Sequence, residues 1–364
     1  MTGEAPRAGE LPLGELRRRV GDLSQLVSTR EVRLQDGNED GVRAIDVRVT
    51  GGLSALVLAD RGLDIGPAWV AGHPLAWQSS TGIVGPAHFD ETAWLRSFHG
   101  GLMVTCGLQN VGPACEDGGA SFGVHGRASH IPARNVTHRV IEDAGRLVAE
   151  VSGEVRETDV YGVDLILRRT LRFPMGEPVV ELHDEVENAG YKPAGLMLLY
   201  HCNIGYPVVA DGAVLIAPDA EVVPRDPPAA ALLGEHATYP APDDDFDQLV
   251  YEHQLRDPGA SRASIAIANP AYAPTGGIAL AVEYDPRQLP HLWQWRMLAP
   301  GMYLTGLEPA TCGILGRAAE RERDTIVWLA PGERRRSDLT IRATTGPAVA
   351  AMVADHLKGK GSAS

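Results

Sequence analysis

The sequence has no apolar run approaching the ~20 residues a membrane-spanning helix needs, and the opening stretch MTGEAPRAGELPLGELRRRV lacks the apolar centre of a secretory signal. Positive charge is also scarce: 33 Lys and Arg stand against 47 Asp and Glu, a net charge of −14. That balance removes any general attraction to nucleic acid or anionic lipid and favours a neutral or locally captured ligand. The basic run 334–336 is short and follows a Pro-Gly turn, which predicts a solvated strand end. The four cysteines, Cys106, Cys115, Cys202 and Cys312, lack metal-ligand spacing, and without an export signal free thiols are expected. No internal repeat is visible, and no Gly-rich turn opens a helix in the manner of a phosphate cradle. Together these absences predict a cytoplasmic protein that binds neither nucleic acid nor membrane.

Helical periodicity is scarce too, confined to a turn or two over 11–20 and to the tail 347–357. Between them the pattern is that of strands. Alternating or β-rich segments occur at 43–49, 53–58, 146–156, 163–173, 179–186, 196–200, 263–268, 278–284, 292–297, 303–308, 325–329 and 338–343. The 41 Gly and 26 Pro are spread along the chain as turns between them. Strands in this number without helical crossovers predict antiparallel sheets, and hence a large all-β sandwich or barrel. The Pro-, Ala- and Asp-rich stretch 219–247 reads as a long loop or lid. The expected layout is an N-terminal extension over 1–30, a carbohydrate-binding β-sandwich domain over 31–345, and a short helix with a tail that frays over 346–364.

Three places could carry chemistry. His125, in Phe-Gly-Val-His-Gly-Arg, sits beside a glycine that lets backbone approach a ligand, and Arg127 can offer paired donors to a hydroxyl. His201 and Asn203 lie two apart at the end of an apolar strand and so face the same side. Glu308 ends another apolar strand beside Gly306 and Pro309, where an unpaired carboxylate is costly, making it a candidate general base. Each has a plainer alternative: a turn histidine with a solvated arginine, a hydrogen-bonded core histidine, and a glutamate paired with Arg296. Trp295 could stack on a sugar ring or belong to the core. Charge, glycine and aromatic residues also gather at Arg61 and Asp64, and at Arg96 and His99.

The motifs RGLDI at 61–65, WLRSFHGGLMVTCGL at 94–108, HGRAS at 125–129, YHCNIGYP at 200–207 and LTGLEPATC at 304–312 resemble, in this order, an aldose 1-epimerase-related branch of the galactose-mutarotase-like superfamily. The resemblance covers roughly 53–343. It implies an antiparallel β-supersandwich with a sugar lying across a concave sheet. It further implies that Glu308 takes the anomeric hydroxyl proton, that His201 gives a proton to the ring oxygen, and that His125 and Arg127 lie near the substrate. Substrate contacts are expected from Asn203, Arg61, Asp64, Arg96, His99 and Trp295. The motif His-Cys-Asn at 201–203 stands where typical mutarotases carry an Asn-His pair, which leaves the sugar open. No cofactor or metal is expected for such a proton relay. The expected partner is a small-molecule sugar, and a homodimer is left open. The competing readings are a sugar isomerase or lyase on the same fold, with His99, His125, His130 and His201 holding a metal, and a non-catalytic sugar-binding protein.

Overall fold

A computed structural model describes residues 11–361. Every strand pairing in it is antiparallel. A five-stranded meander is built from Val27–Arg33, Arg43–Val49, Leu53–Leu58, Asp64–Val70 and His73–Pro74. A nine-stranded sheet runs from Thr238–Tyr239 at one edge to Arg134–Asp143 at the other, with Arg334–Thr345 and Val179–Asn188 paired near its middle. A seven-stranded sheet is centred on His291–Ala299, Met302–Ala310 and Ala194–Ile204, with Val104–Leu108 paired to the last of these. This is the large all-β sandwich that the strand pattern predicts.

The strands differ in sequence because they differ in what covers them. Asp164–Pro174 faces core on one side only, and its residues alternate between buried and half-buried along nearly its whole length. Ala194–Ile204 is buried at every position. Its even-numbered residues Leu196, Leu198, Tyr200, Cys202 and Ile204 join the main inter-sheet core. Its odd-numbered residues Met197 and Leu199 join a second apolar cluster on the opposite, concave face. His201 and Asn203 share that parity, so they project to the concave side. They lie in the last four residues of the strand, which ends at Ile204.

A buried ionic network fastens the three sheets. Arg169 of the nine-stranded sheet makes a bidentate pair with Asp184, at 2.9 and 2.7 Å, and reaches Asp64 of the meander at 3.2 Å. Tyr200 of the seven-stranded sheet donates to Asp184 Oδ2 at 2.8 Å. Asp64 Oδ1 also accepts from Thr105 Oγ1 at 2.6 Å. Such a set is tolerable in a dry interior only because its charges are paired and hydrogen-bonded.

Several expectations need correction. The stretch 219–247 is not a structureless loop: it contains the strand Ala220–Pro224, the helix Pro227–Ala231 and a 3-10 turn, Leu233–Glu235. Asp226 caps that helix by accepting from the Ala229 N–H. Strands Val27–Arg33 and Arg134–Asp143 are rich in Arg and Glu or Asp, and at sheet edges their outward positions need not be apolar. Val104–Leu108, within the motif 94–108, is a strand buried at every position. Helices form at Leu13–Arg17 and Ala348–Gly361; residues 1–10 of the expected extension and 362–364 of the expected tail lie outside the described residues. Arg334–Arg336 opens a strand, with Arg334 and Arg336 paired to Glu185. All four cysteines are free, and no helix among the described residues is long and apolar enough to cross a membrane.

Candidate active site

The register of the seven-stranded sheet writes one row of side chains across its concave face. Glu252 pairs with Trp293, and Trp293 pairs with Glu308. His201 lies on the strand flanking Glu308 on the other side and pairs onward with Val104. The next row runs Val250, Trp295, Gly306 and Asn203. His201 Nε2 therefore stands 3.3 Å from Glu308 Oε1, close but not aligned as a hydrogen bond in this resting arrangement. Gly306 is what makes room for the carboxyl: a Cβ there would lie 2.1 Å from Glu308 Oε1.

His125 enters from a loop and stands edge-on to His201, with ring centroids 6.0 Å apart. Its backbone is left-handed, φ 53°, held by bonds from its N–H to Gly112 O and from the Gly107 N–H to its carbonyl. The following Gly126 packs where a Cβ would come within 2.4 Å of Gly107 O, so only glycine fits. The Gly112 N–H donates to His125 Nδ1 at 3.3 Å, which leaves the proton of the neutral imidazole on Nε2.

A cleft of about 440 Å³ opens over these three groups, within the roughly 300–1,000 Å³ typical of small-molecule sites. Its inner walls are Trp94, Phe98, Val250 and Trp295, with Met297 and Met302 beyond them. Trp94 stacks on Phe98 at 4.8 Å and tilts over His125 at 4.9 Å. Trp295 stands edge-on to His201 at 5.4 Å.

Burial sets the protonation of the floor. It raises the Glu308 carboxyl to about 8, opposed by the charge of Arg225. It lowers His201 to about 3, assisted by His125, and His125 itself to about 4. At neutral pH Glu308 therefore carries a proton and His201 carries no charge, the reverse of the resting assignment that the resemblance implies. The pair still holds a single exchangeable proton.

The remaining sequence candidates divide. Trp295 lines the cleft with His125, His201 and Glu308. Asn203 lies in the row beside His201, but its amide donates to Gly101 O and His201 O, which makes it a brace for that strand. Arg61 is buried and donates to the carbonyls of Ser129, Val84 and Ser97 at 2.6, 2.8 and 3.1 Å. It supports from behind the turn that carries Trp94 and Phe98 and makes no part of the cleft lining. Asp64 is spent on Arg169 and Thr105. His99 is buried close enough to Arg61 for that charge, added to desolvation, to keep it neutral; His130 contacts Arg61 and Ser97. Arg96 and Arg127 are exposed and do not line the cleft. The histidines thus fall into two places, His125 with His201 and His99 with His130, and among the described residues no three His, Cys, Asp or Glu side chains are gathered as a metal site. Glu308 is not paired with Arg296, whose guanidinium lies by Thr238 O and Tyr239.

Sequence reasoning missed Arg225, Asp247 and Gln248, which line one side of the cleft. Arg225 and Asp247 come from the segment expected to be a loop and Gln248 directly follows it; Arg225 bonds the backbone of Val250 and pairs with Asp226. The one available signal was an arginine placed directly before a helix-capping Asp-Pro.

The chain matches the model of a family described as a domain of unknown function, DUF4432, over residues 39–343. It belongs to that family. A solved structure of a protein from Klebsiella pneumoniae, provisionally described as an aldose 1-epimerase, is 26% identical and superposes with a TM-score of 0.84 over 96% of this chain and 90% of that one. The galactose 1-epimerase of Lactobacillus acidophilus, 14% identical, gives a TM-score of 0.57 over 88% of this chain and 99% of that one. A galactose mutarotase-like protein of Clostridium acetobutylicum, 10% identical, gives 0.57 over the same shares. These last two establish a shared fold: this DUF4432 member has the galactose mutarotase-like supersandwich. No curated protein matches its sequence significantly.

Proposed function

We propose that this chain interconverts the anomers of a free sugar, with Glu308 and His201 exchanging one proton each with the substrate. The observation that carries the reading is the Glu308–His201 pair, 3.3 Å apart on the floor of an aromatic cleft. The description of the Klebsiella relative as an aldose 1-epimerase supports it.

Ring opening requires that the anomeric hydroxyl lose a proton while the ring oxygen gains one. Neutral His201 accepts the first and protonated Glu308 donates the second, as the C1–O5 electron pair leaves to the ring oxygen. The open-chain aldehyde then sits over a carboxylate and an imidazolium. Rotation about C1–C2 turns the other carbonyl face to the ring hydroxyl. Closure returns a proton to Glu308 and delivers one from His201 to the new anomeric oxygen. Protons and electrons balance over the cycle, and the charged pair that the interior disfavours exists only while the ring is open. The resemblance sets Glu308 at the anomeric oxygen and His201 at the ring oxygen; the cycle proposed here exchanges the two oxygens between them. His125, donating from Nε2, is placed to hold a sugar oxygen.

The test is two-dimensional exchange NMR on a panel of free aldoses with wild type and Glu308→Gln. Acceleration of anomer exchange over buffer, lost by roughly 100- to 10,000-fold in the variant, is expected. A wild-type protein that accelerates no aldose, or a variant as active as wild type, overturns the proposal.

A further inference from the structure

The polar inventory of the cleft limits which sugar it can hold. On the floor, His125, His201 and Glu308 are committed to the anomeric centre and the ring oxygen under the proposed function, on which this step rests. On one side, Arg225 spends Nε and Nη2 on Asp226 Oδ2, at 2.8 and 2.6 Å. Asp247 and Gln248 are exposed at the mouth. The rest of the lining is largely apolar: Trp94 and Trp295 add only their unpartnered indole N–H groups, Phe98 and Val250 are nearly inaccessible, and Met297 and Met302 are half-buried on two adjacent strands.

A hydroxyl directed at the mouth keeps its water. One directed at Met297 and Met302 loses its water and finds no partner, a cost of about 1–3 kcal/mol by mutational scales. An aldohexose bears hydroxyls around its whole perimeter. With the anomeric edge on the floor, at least one would point at that apolar surface. Replacing it by hydrogen, as in a sugar ending in a methyl group, turns the cost into apolar contact with flexible, polarisable thioethers.

We infer that the cleft takes a deoxy sugar, an aldose whose exocyclic carbon is a methyl group packed on the apolar surface of Met297 and Met302. The fully hydroxylated parent is the poorer ligand. A pocket of this kind discriminates against an added hydroxyl by roughly 10- to 100-fold.

The experiment compares matched pairs: D-fucose with D-galactose, L-fucose with L-galactose, L-rhamnose with L-mannose, and quinovose with D-glucose. Calorimetry reads binding to the full-length protein, and NMR reads anomer exchange separately. The expected result is at least one deoxy sugar bound tenfold or more tightly than its parent, with no pair reversed. Met297→Gln, which places an amide on the wall, should narrow that ratio while the fold, followed by circular dichroism, is kept. Equal affinity across every pair, tighter binding of any parent, or no binding by any of these sugars overturns the inference. The two readings fail separately. Deoxy preference without exchange leaves the ligand class standing and removes the mutarotase chemistry; exchange without preference does the opposite.

Discussion

Gly306→Ala separates the position of the carboxyl from the stability of the fold. Gly306 lies within the strand Met302–Ala310 and is not among the residues with positive φ, so alanine is allowed by its backbone. A strand-interior glycine replaced by alanine should gain about 0.5–1 kcal/mol from the unfolded state. Against that, the new Cβ meets Trp295 Cβ at 3.2 Å, a tight contact, and Glu308 Oε1 at 2.1 Å, an impossible one. The carboxyl is the end of a flexible side chain, so it yields first. To regain an ordinary contact of about 3.5 Å it must retreat by roughly 1.4 Å, away from the geometry it shares with His201. A displacement of about 1 Å at a reacting group costs about 100-fold in rate, or about 2.7 kcal/mol of transition-state free energy. The expected outcome is a thermal midpoint close to wild type and anomer exchange reduced about 100-fold in the same preparation. Exchange within threefold of wild type in a folded variant would refute the reasoning, because the carboxyl would then be indifferent to its own position.

The pH dependence of exchange should be a broad bell for the coupled pair, falling below about 3–4 as His201 and His125 gain protons and above about 8 as Glu308 loses its own; a profile centred on pH 4–6 and falling by 7 would contradict the protonated glutamate. Glu308 has a native value near 8 against about 4.3 unfolded, so its stabilising share is fully present below about 4.3 and is lost as pH rises through 8; Glu308→Gln should therefore flatten the decline of denaturation midpoint with pH in that window and be the more stable protein at pH 9. Arg127→Ala should change exchange by less than about twofold, as expected for an exposed residue away from the lining, whereas Arg225→Ala removes the charge that opposes the rise at Glu308 and should move the alkaline limb upward. Asp64→Asn should lower stability by about 3–5 kcal/mol in chemical denaturation, because it breaks a buried pair with Arg169; a variant that folds normally but loses only activity would return Asp64 to the site.

Much of the fold was legible locally. Alternation in strands such as Asp164–Pro174 reports a sheet with one covered face, and the Gly and Pro turns report where it reverses. The edge strands escaped because exposed edges tolerate charge, and the segment 219–247 escaped because its short elements are too brief to show a period. Within the candidate site, His125, His201, Glu308 and Trp295 were visible as chemistry-bearing side chains at strand or turn positions, His125 and Glu308 with a glycine close by. Their company was not. Trp94 and Phe98 stood inside a motif whose charged and histidine members drew attention, and Arg225 became part of the cleft only through its backbone bond to Val250.

Sequence by itself determined the periods, the turns and the parity of each strand, because these depend on neighbours one or two residues away. It thereby determined that His201 and Asn203 share a face, and that Gly306 and Glu308 share one. Register and layering decided the rest. Only the pairing of distant strands brings Glu308 beside His201 and divides Arg61 and Asp64, both in the same short motif, between a turn support and a buried ionic clasp. The protonation state of the pair is likewise tertiary. A glutamate has an ordinary acidity in any sequence, and it is the exclusion of water by the aromatic walls, supplied from opposite ends of the chain, that raises it to about 8.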